Sequence, residues 1–105
     1  MDAERLTIDV RNEGDAAVAR LAGELDIVTA ETCKRQLSEV IDGGASSLRL
    51  DLGELAFIDS SGLGALVAIH HHAVAAGSGV ELAGVSSQVR RLMQITRLDE
   101  LFTIV

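Results

Sequence analysis

The residues best suited to chemistry lie in one short segment, Asp59 to Gly64, near the middle of the chain. Its sequence is Asp-Ser-Ser-Gly-Leu-Gly, and the Ala- and Leu-rich residues from Gly62 to about Ala76 predict a helix that begins within this segment. The N-terminus of a helix carries unpaired backbone N–H groups and the positive end of the helix dipole, and both favour an anion. A phosphoryl group on Ser60 or Ser61 would therefore be held there without disrupting the fold.

Two glycines in the first turn of this predicted helix also call for an explanation. Gly62 and Gly64 each cost the helix about 1 kcal/mol relative to alanine. Our interpretation is that they leave room for another molecule to approach the serines, while Leu63 and Leu66 anchor the helix underneath. The alternative is that one of the two serines only caps the helix, the commonest use of serine at such a position. The residues alone leave both interpretations open.

Other kinds of chemistry do not fit the spacing of the polar residues. His70 follows Ser60 by ten residues on the same predicted helix, about 15 Å away at a rise of about 1.5 Å per residue, so it cannot accept the serine proton. A nucleophile elbow would need glycine where the chain has Ile58. The consecutive histidines His70–His72 point in different directions around a helix, and the glycines lack the lysine of a P-loop. We predict no catalysis, no metal and no cofactor.

The composition fits a single globular domain over residues 1–105, with 48% hydrophobic and 24% charged residues. The net charge of −7 would repel a phosphate backbone, so we do not expect a nucleic acid partner. No apolar run approaches the roughly 20 residues that span a bilayer, and the Met1 end lacks the features of an export signal. Cys33 is the only cysteine, so an internal disulfide is impossible, and we expect it to be a small residue of the core. We expect a cytoplasmic protein without membrane insertion.

Periodicity of the apolar residues predicts the order strand, strand, helix, strand, helix, strand, helix, strand. Thr29 is placed to cap the first helix, and Gly43-Gly44 to end it. Strands that alternate with helices form parallel sheets through crossover connections, whereas the first two strands form a hairpin. We therefore predict an α/β fold: a mixed, mostly parallel sheet with an N-terminal antiparallel hairpin and packed helices.

The segment from Leu50 to Gly64 resembles the motif of the anti-sigma factor antagonists of the STAS family. It reads Leu-Asp-Leu-x-x-Leu-x-Phe-Ile-Asp-Ser-Ser-Gly-Leu-Gly. The segment Leu21–Asp26, with Thr29 after it, resembles the first loop and helix of the family, and Val89–Leu92 resembles a segment near its end. The resemblance covers nearly the whole chain and implies a single STAS domain.

The resemblance implies a protein that binds an anti-sigma factor with serine kinase activity and thereby frees a sigma factor. The kinase would end this binding by phosphorylating the serine directly after the aspartate, which by position is Ser60. A serine phosphatase of the metal-dependent type would remove the phosphate. In the family, partner contacts gather around this turn and the loop after the second strand. The implied partner-binding residues are Asp26, Ile27, Asp59, Ser61, Gly62, Leu63, Gly64 and Leu66.

The same resemblance allows an alternative function. STAS domains also serve as non-enzymatic subunits of lipid ABC transporters and as scaffolds in stress-signalling complexes. Relatives usually carry a further helix after the last strand, whereas this sequence stops at Val105, so we do not expect the partner contacts that such a helix makes. Lys34 is the only lysine and aromatic residues are few, which leaves the identity of the partner open.

Overall fold

Strands and helices alternate along the chain in the predicted order. The computed structural model describes residues 5–105. Within them, the elements are β1 (Leu6–Glu13), β2 (Ala16–Leu25), α1 (Ala30–Asp42), β3 (Leu48–Ile58), α2 (Ser60–Ala75), β4 (Val80–Ala83), α3 (Ser87–Ile95), a short 3-10 helix (Leu98–Glu100) and β5 (Thr103–Ile104). No helix in this part of the chain is long and apolar enough to cross a membrane.

The five strands form one sheet in the order β1-β2-β3-β4-β5. β1 and β2 pair antiparallel around a turn at Gly14, whose φ of +67° suits glycine. The pairs β2-β3, β3-β4 and β4-β5 are parallel, so the predicted α/β fold with an N-terminal antiparallel hairpin is confirmed. Because each parallel connection advances in the same direction, right-handed crossovers place α1, α2 and α3 on the same face of the sheet.

Alternate residues of β3 build the core beneath these helices. Leu48, Leu50 and Leu52 are buried, and they join one apolar cluster with Leu37 of α1 and Leu66 of α2. Residues two apart in a strand point to the same face, so this run of leucines lies entirely on the helix side. Cys33 belongs to the same cluster, as predicted, and burial raises the pKa of its thiol to about 12.

The opposite face of the sheet is polar and carries ion pairs between neighbouring strands. Arg49 of β3 lies 3.0 Å from Glu81 of β4, and Arg20 of β2 lies 3.6 Å from Asp51 of β3. Such half-exposed pairs contribute about 1 kcal/mol or less each, so they align the strands more than they stabilise them. Because helices cover only one face of this mixed sheet, apolar residues alternate with polar ones along its strands.

Two irregularities in the pairing of β2 with β3 set the geometry of one edge of the sheet. The register shifts between Arg20 and Ala22 and again between Gly23 and Glu24. After both shifts, Leu25 at the end of β2 lies opposite Ile58 at the end of β3. The two strands therefore end side by side. As a result, the β2–α1 loop and the turn between β3 and α2 begin next to each other.

Candidate functional site

The Asp59 turn lies at the carboxyl edge of the parallel strands. Asp59 directly follows β3, and its N–H donates to the carbonyl of Leu25 at the end of β2 (3.3 Å). The loop that follows Leu25 is therefore adjacent to the turn. In open α/β sheets, ligand sites are found outside the carboxyl ends of the strands. The fold thus brings together the two segments that the sequence marked as candidates.

Asp59 caps helix α2. Its backbone is extended (φ −116°, ψ −171°), and its carboxylate Oδ1 accepts the N–H of Gly62 at 2.9 Å. Its carbonyl accepts the N–H of Leu63 at 3.0 Å. The alternative that a serine caps the helix is therefore wrong, because the aspartate before the serines takes this role.

Ser60 is the first residue of α2, and its side chain is exposed. Its hydroxyl makes no hydrogen bond within residues 5–105, and the backbone N–H groups of Ser60 and Ser61 have no acceptor there either. A nucleophilic hydroxyl thus faces solvent at the positive end of a 16-residue helix. This arrangement can receive a phosphoryl group from an external enzyme and can stabilise the product.

Gly62 and Gly64 differ in what surrounds them. A Cβ atom on Gly62 would lie 2.5 Å from the carbonyl oxygen of Leu25 and 2.8 Å from Cγ1 of Ile58. Gly62 is thus needed for close packing of α2 against the strand ends, and the expectation that it leaves room for another molecule is wrong. A Cβ atom on Gly64 would meet nothing within 4 Å, so that position is open to a partner.

Several predicted partner-binding residues are interior. Gly62 is buried, Leu63 is 4% exposed and Leu66 is fully buried, because all three lie on the core side of α2. Asp26 in the neighbouring loop is also buried, at 4% exposure. Because these four residues are buried, they do not fit direct contact with a partner. We propose instead that they position the exposed residues of the turn and the loop.

The loop between β2 and α1 is organised by the Asp26 carboxylate. Its Oδ1 accepts the N–H groups of Val28 (2.9 Å) and Thr29 (3.2 Å), and its second oxygen pairs with Arg5. The Arg5 hydrogen bond, aided by these N–H groups, outweighs burial and lowers the pKa of Asp26. The Thr29 hydroxyl donates to the carbonyl of Glu24 at 2.9 Å and makes no capping bond, so the prediction that its side chain caps α1 is wrong.

Three large apolar side chains are exposed at the same edge of the sheet. Ile27 is 76% exposed, Val28 65% and Phe57 52%. Val28 and Phe57 are not among the partner-binding residues predicted from the sequence. For Phe57 a signal was available: it is one of two aromatic residues, and alternation along β3 points it away from the buried side chain of Ile58. Large exposed apolar side chains with polar residues around them are typical of a protein-binding surface.

A shallow groove of about 250 Å³ separates the first turns of α1 and α2. Ile27, Ala30, Glu31 and Lys34 line one side of it, and Ser61, Gly64 and Ala65 line the other. Lys34 pairs with Glu31 at 2.8 Å within the groove. Ile27, Ser61 and Gly64 are therefore the predicted residues that the fold places together on one accessible surface.

The three histidines lie toward the far end of α2. The Nδ1 atom of His70 is buried and has no partner within residues 5–105, and its ring contacts Phe102 edge-on. Nε2 of His72 lies 2.7 Å from the carboxylate of Asp42 at the end of α1. Among the described residues, no three potential metal ligands converge.

The sequence model of the STAS domain matches residues 7–105. An anti-sigma-B factor antagonist of Bacillus subtilis (strain 168) is 32% identical over 100 residues, which cover 94% of this chain and 90% of the relative. The anti-sigma-F factor antagonist RsfB of Mycobacterium tuberculosis is 28% identical and covers 96% of this chain and 82% of the relative. The crystal structure of an anti-sigma factor antagonist from Mycobacterium paratuberculosis superposes with a TM-score of 0.83 at 26% identity, covering 94% and 84% of the two chains.

Proposed function

The chain belongs to the STAS domain family, and we propose that it is an anti-sigma factor antagonist whose binding to the anti-sigma factor ends when Ser60 is phosphorylated. The antagonist role is supported by similarity to named antagonists over nearly the whole chain. The phosphorylation switch is supported chiefly by the exposed Ser60 hydroxyl at the start of α2. Control of a sigma factor also implies a cytoplasmic location, where transcription takes place.

The proposed switch acts through charge at the surface and leaves the fold unchanged. A phosphoryl group adds about −1.5 to −2 charges at neutral pH. The N–H groups of Ser60 and Ser61 and the dipole of α2 favour this charge in the free protein. In a complex, the same group would be pressed against a partner at the edge of the sheet that also exposes apolar Ile27 and Phe57. A phosphate that loses its water there without a counter-charge is strongly unfavourable.

The chemical step itself belongs to the partner. The Ser60 oxygen attacks the γ-phosphorus of ATP held by the anti-sigma factor, the new O–P bond replaces the bond to ADP, and a base of the kinase takes the serine proton. His70, ten residues further along α2, is too far away to serve as that base. We propose that the chain has no catalytic activity of its own and that a serine phosphatase restores the hydroxyl by hydrolysis.

Incubation of the chain with its anti-sigma factor kinase and ATP is expected to add one phosphoryl group. Ser60→Ala should take up none, because its nucleophilic oxygen is missing, whereas Ser61→Ala should be phosphorylated as the wild type is. Intact-mass spectrometry followed by peptide mapping measures both. Equal uptake by Ser60→Ala would overturn the assignment of the site. A wild-type chain that binds the anti-sigma factor but takes up no phosphate would favour the scaffold alternative.

Phe57→Ala is expected to weaken binding to the anti-sigma factor about tenfold or more, because we expect this large exposed apolar side chain to be a binding hot spot, where truncation costs about 2 kcal/mol or more. The side chain is half-exposed, so folding stability should change little. Val74→Ala is the matched control, because Val74 is 57% exposed but lies 14 residues from Ser60 along α2. Calorimetric titration measures both variants. If the two variants bind equally well, Phe57 does not belong to the interface.

A further inference from the structure

Arg5, a residue that precedes β1, is joined to the loop that carries the most exposed apolar side chains of the site. Resting on the function proposed above, we infer that Arg5 is a positioning residue: its ion pair with Asp26 holds the β2–α1 loop, with Ile27 and Val28, in the conformation that docks on the anti-sigma factor. Arg5 itself need not touch the partner. The inference follows from two sets of contacts and from the exposure of two side chains of the loop.

The first set fixes Arg5 to the end of β2 through both backbone and side chain. The carbonyl of Arg5 accepts the N–H of Glu24 at 2.7 Å, and its guanidinium lies 3.1 Å from a carboxylate oxygen of Glu24. Gly23, with a φ of +110°, allows this approach, since a Cβ atom there would collide with the carbonyl of Arg5. The guanidinium is thereby directed toward the loop.

The second set joins the guanidinium to the inside of the loop. Arg5 pairs with one oxygen of the buried Asp26 carboxylate, while the other oxygen accepts the N–H groups of Val28 and Thr29. A buried carboxylate that loses its counter-charge is strongly unfavourable, so the loop would rearrange to rehydrate Asp26. One carboxylate therefore couples Arg5 to the backbone of the loop.

The third observation is that two side chains of the loop are hardly packed against the core. Ile27 and Val28 are 76% and 65% exposed, so packing of their side chains against the core contributes little to fixing their positions. Their placement depends on the backbone that Asp26 holds. Ile27 also lines the groove that contains Ser61 and Gly64, so displacement of the loop would alter the surface next to the switch serine.

The test compares Arg5→Ala with Arg11→Ala. Arg11 pairs with Glu13 on the exposed surface of β1, so its variant removes a similar ion pair from the same end of the chain without touching the loop. We expect Arg5→Ala to speed hydrogen exchange of the Val28 and Thr29 amides about tenfold or more and to lower affinity for the anti-sigma factor about tenfold. Arg5→Lys, which keeps the positive charge, should recover part of both losses. Arg11→Ala should change neither.

The exchange measurement needs no partner, so it tests the loop separately from the proposed function. Unchanged exchange at Val28 and Thr29 in Arg5→Ala would overturn the positioning role. Faster exchange with unchanged affinity would overturn the link between the loop and docking. A wild-type chain that does not bind an anti-sigma factor would instead refute the proposed function, whatever the exchange rates are.

Discussion

Ser60→Asp is expected to weaken binding to the anti-sigma factor at least tenfold while leaving the folded domain as stable as the wild type. The carboxylate imitates part of the phosphate charge, and a charge that meets an apolar or like-charged partner surface costs more than the roughly 1.4 kcal/mol that a tenfold change requires. In the free protein, an acidic residue at the first position of α2 interacts favourably with the helix dipole. Calorimetric titration and urea unfolding measure the two effects.

Ser87→Asp provides the matched control for this variant. Ser87 is exposed and is the first residue of α3, so the substitution adds the same charge at the same kind of helix position elsewhere on the domain. It should leave binding unchanged. If both variants lose affinity equally, the effect comes from total charge on an already acidic protein. If Ser60→Asp binds like the wild type, the proposed charge mechanism is wrong.

Gly62→Ala is expected to lower the free energy of unfolding by about 2 kcal/mol or more, the upper range for overpacking in a tight interior. The new methyl group would lie 2.5 Å from the carbonyl oxygen of Leu25, and a backbone atom of a paired strand cannot move aside cheaply. The ends of β2 and β3 would separate from α2, which would displace the turn that presents Ser60. Urea unfolding monitored by circular dichroism measures the loss.

Gly64→Ala should have the opposite effect on stability. Outside its own stretch of helix, the added methyl group meets nothing within 4 Å, so only the better helix propensity of alanine acts. The free energy of unfolding should therefore rise by up to about 1 kcal/mol. The methyl group projects at the groove beside Ser61, so affinity for the anti-sigma factor should fall. Equal destabilisation by Gly62→Ala and Gly64→Ala would contradict the distinction drawn between the two positions.

Periodicity was sufficient to predict the order of elements and the mixed sheet, because one face of each strand and helix is apolar. The same pattern located Ser60 at the start of a helix. It could not identify the capping residue, since aspartate, serine and threonine are all good N-caps. Asp59 takes this role at α2 because its backbone is extended there, while the Thr29 hydroxyl is already engaged with the carbonyl of Glu24.

Long-range packing explains the remaining differences between sequence and structure. The need for glycine at position 62 arises only after two register shifts bring Leu25 next to Ile58. The pairing of Arg5 with Asp26 spans 21 residues and requires the hairpin to place Leu6 opposite Gly23. A local motif shows which residue types occur together, but it does not show which of them a distant strand will cover.

Strand β1 is an edge strand of the sheet, and among the described residues it pairs only with β2. Charged side chains recur at every second residue from the middle of the strand onward, at Asp9, Arg11 and Glu13. If a strand from another molecule paired with β1, these charged side chains would lose part of their water. Natural proteins use charged residues on edge strands in this way to prevent aggregation. The charges on this edge strand therefore protect an aliphatic-rich chain from fibril-like assembly through β1.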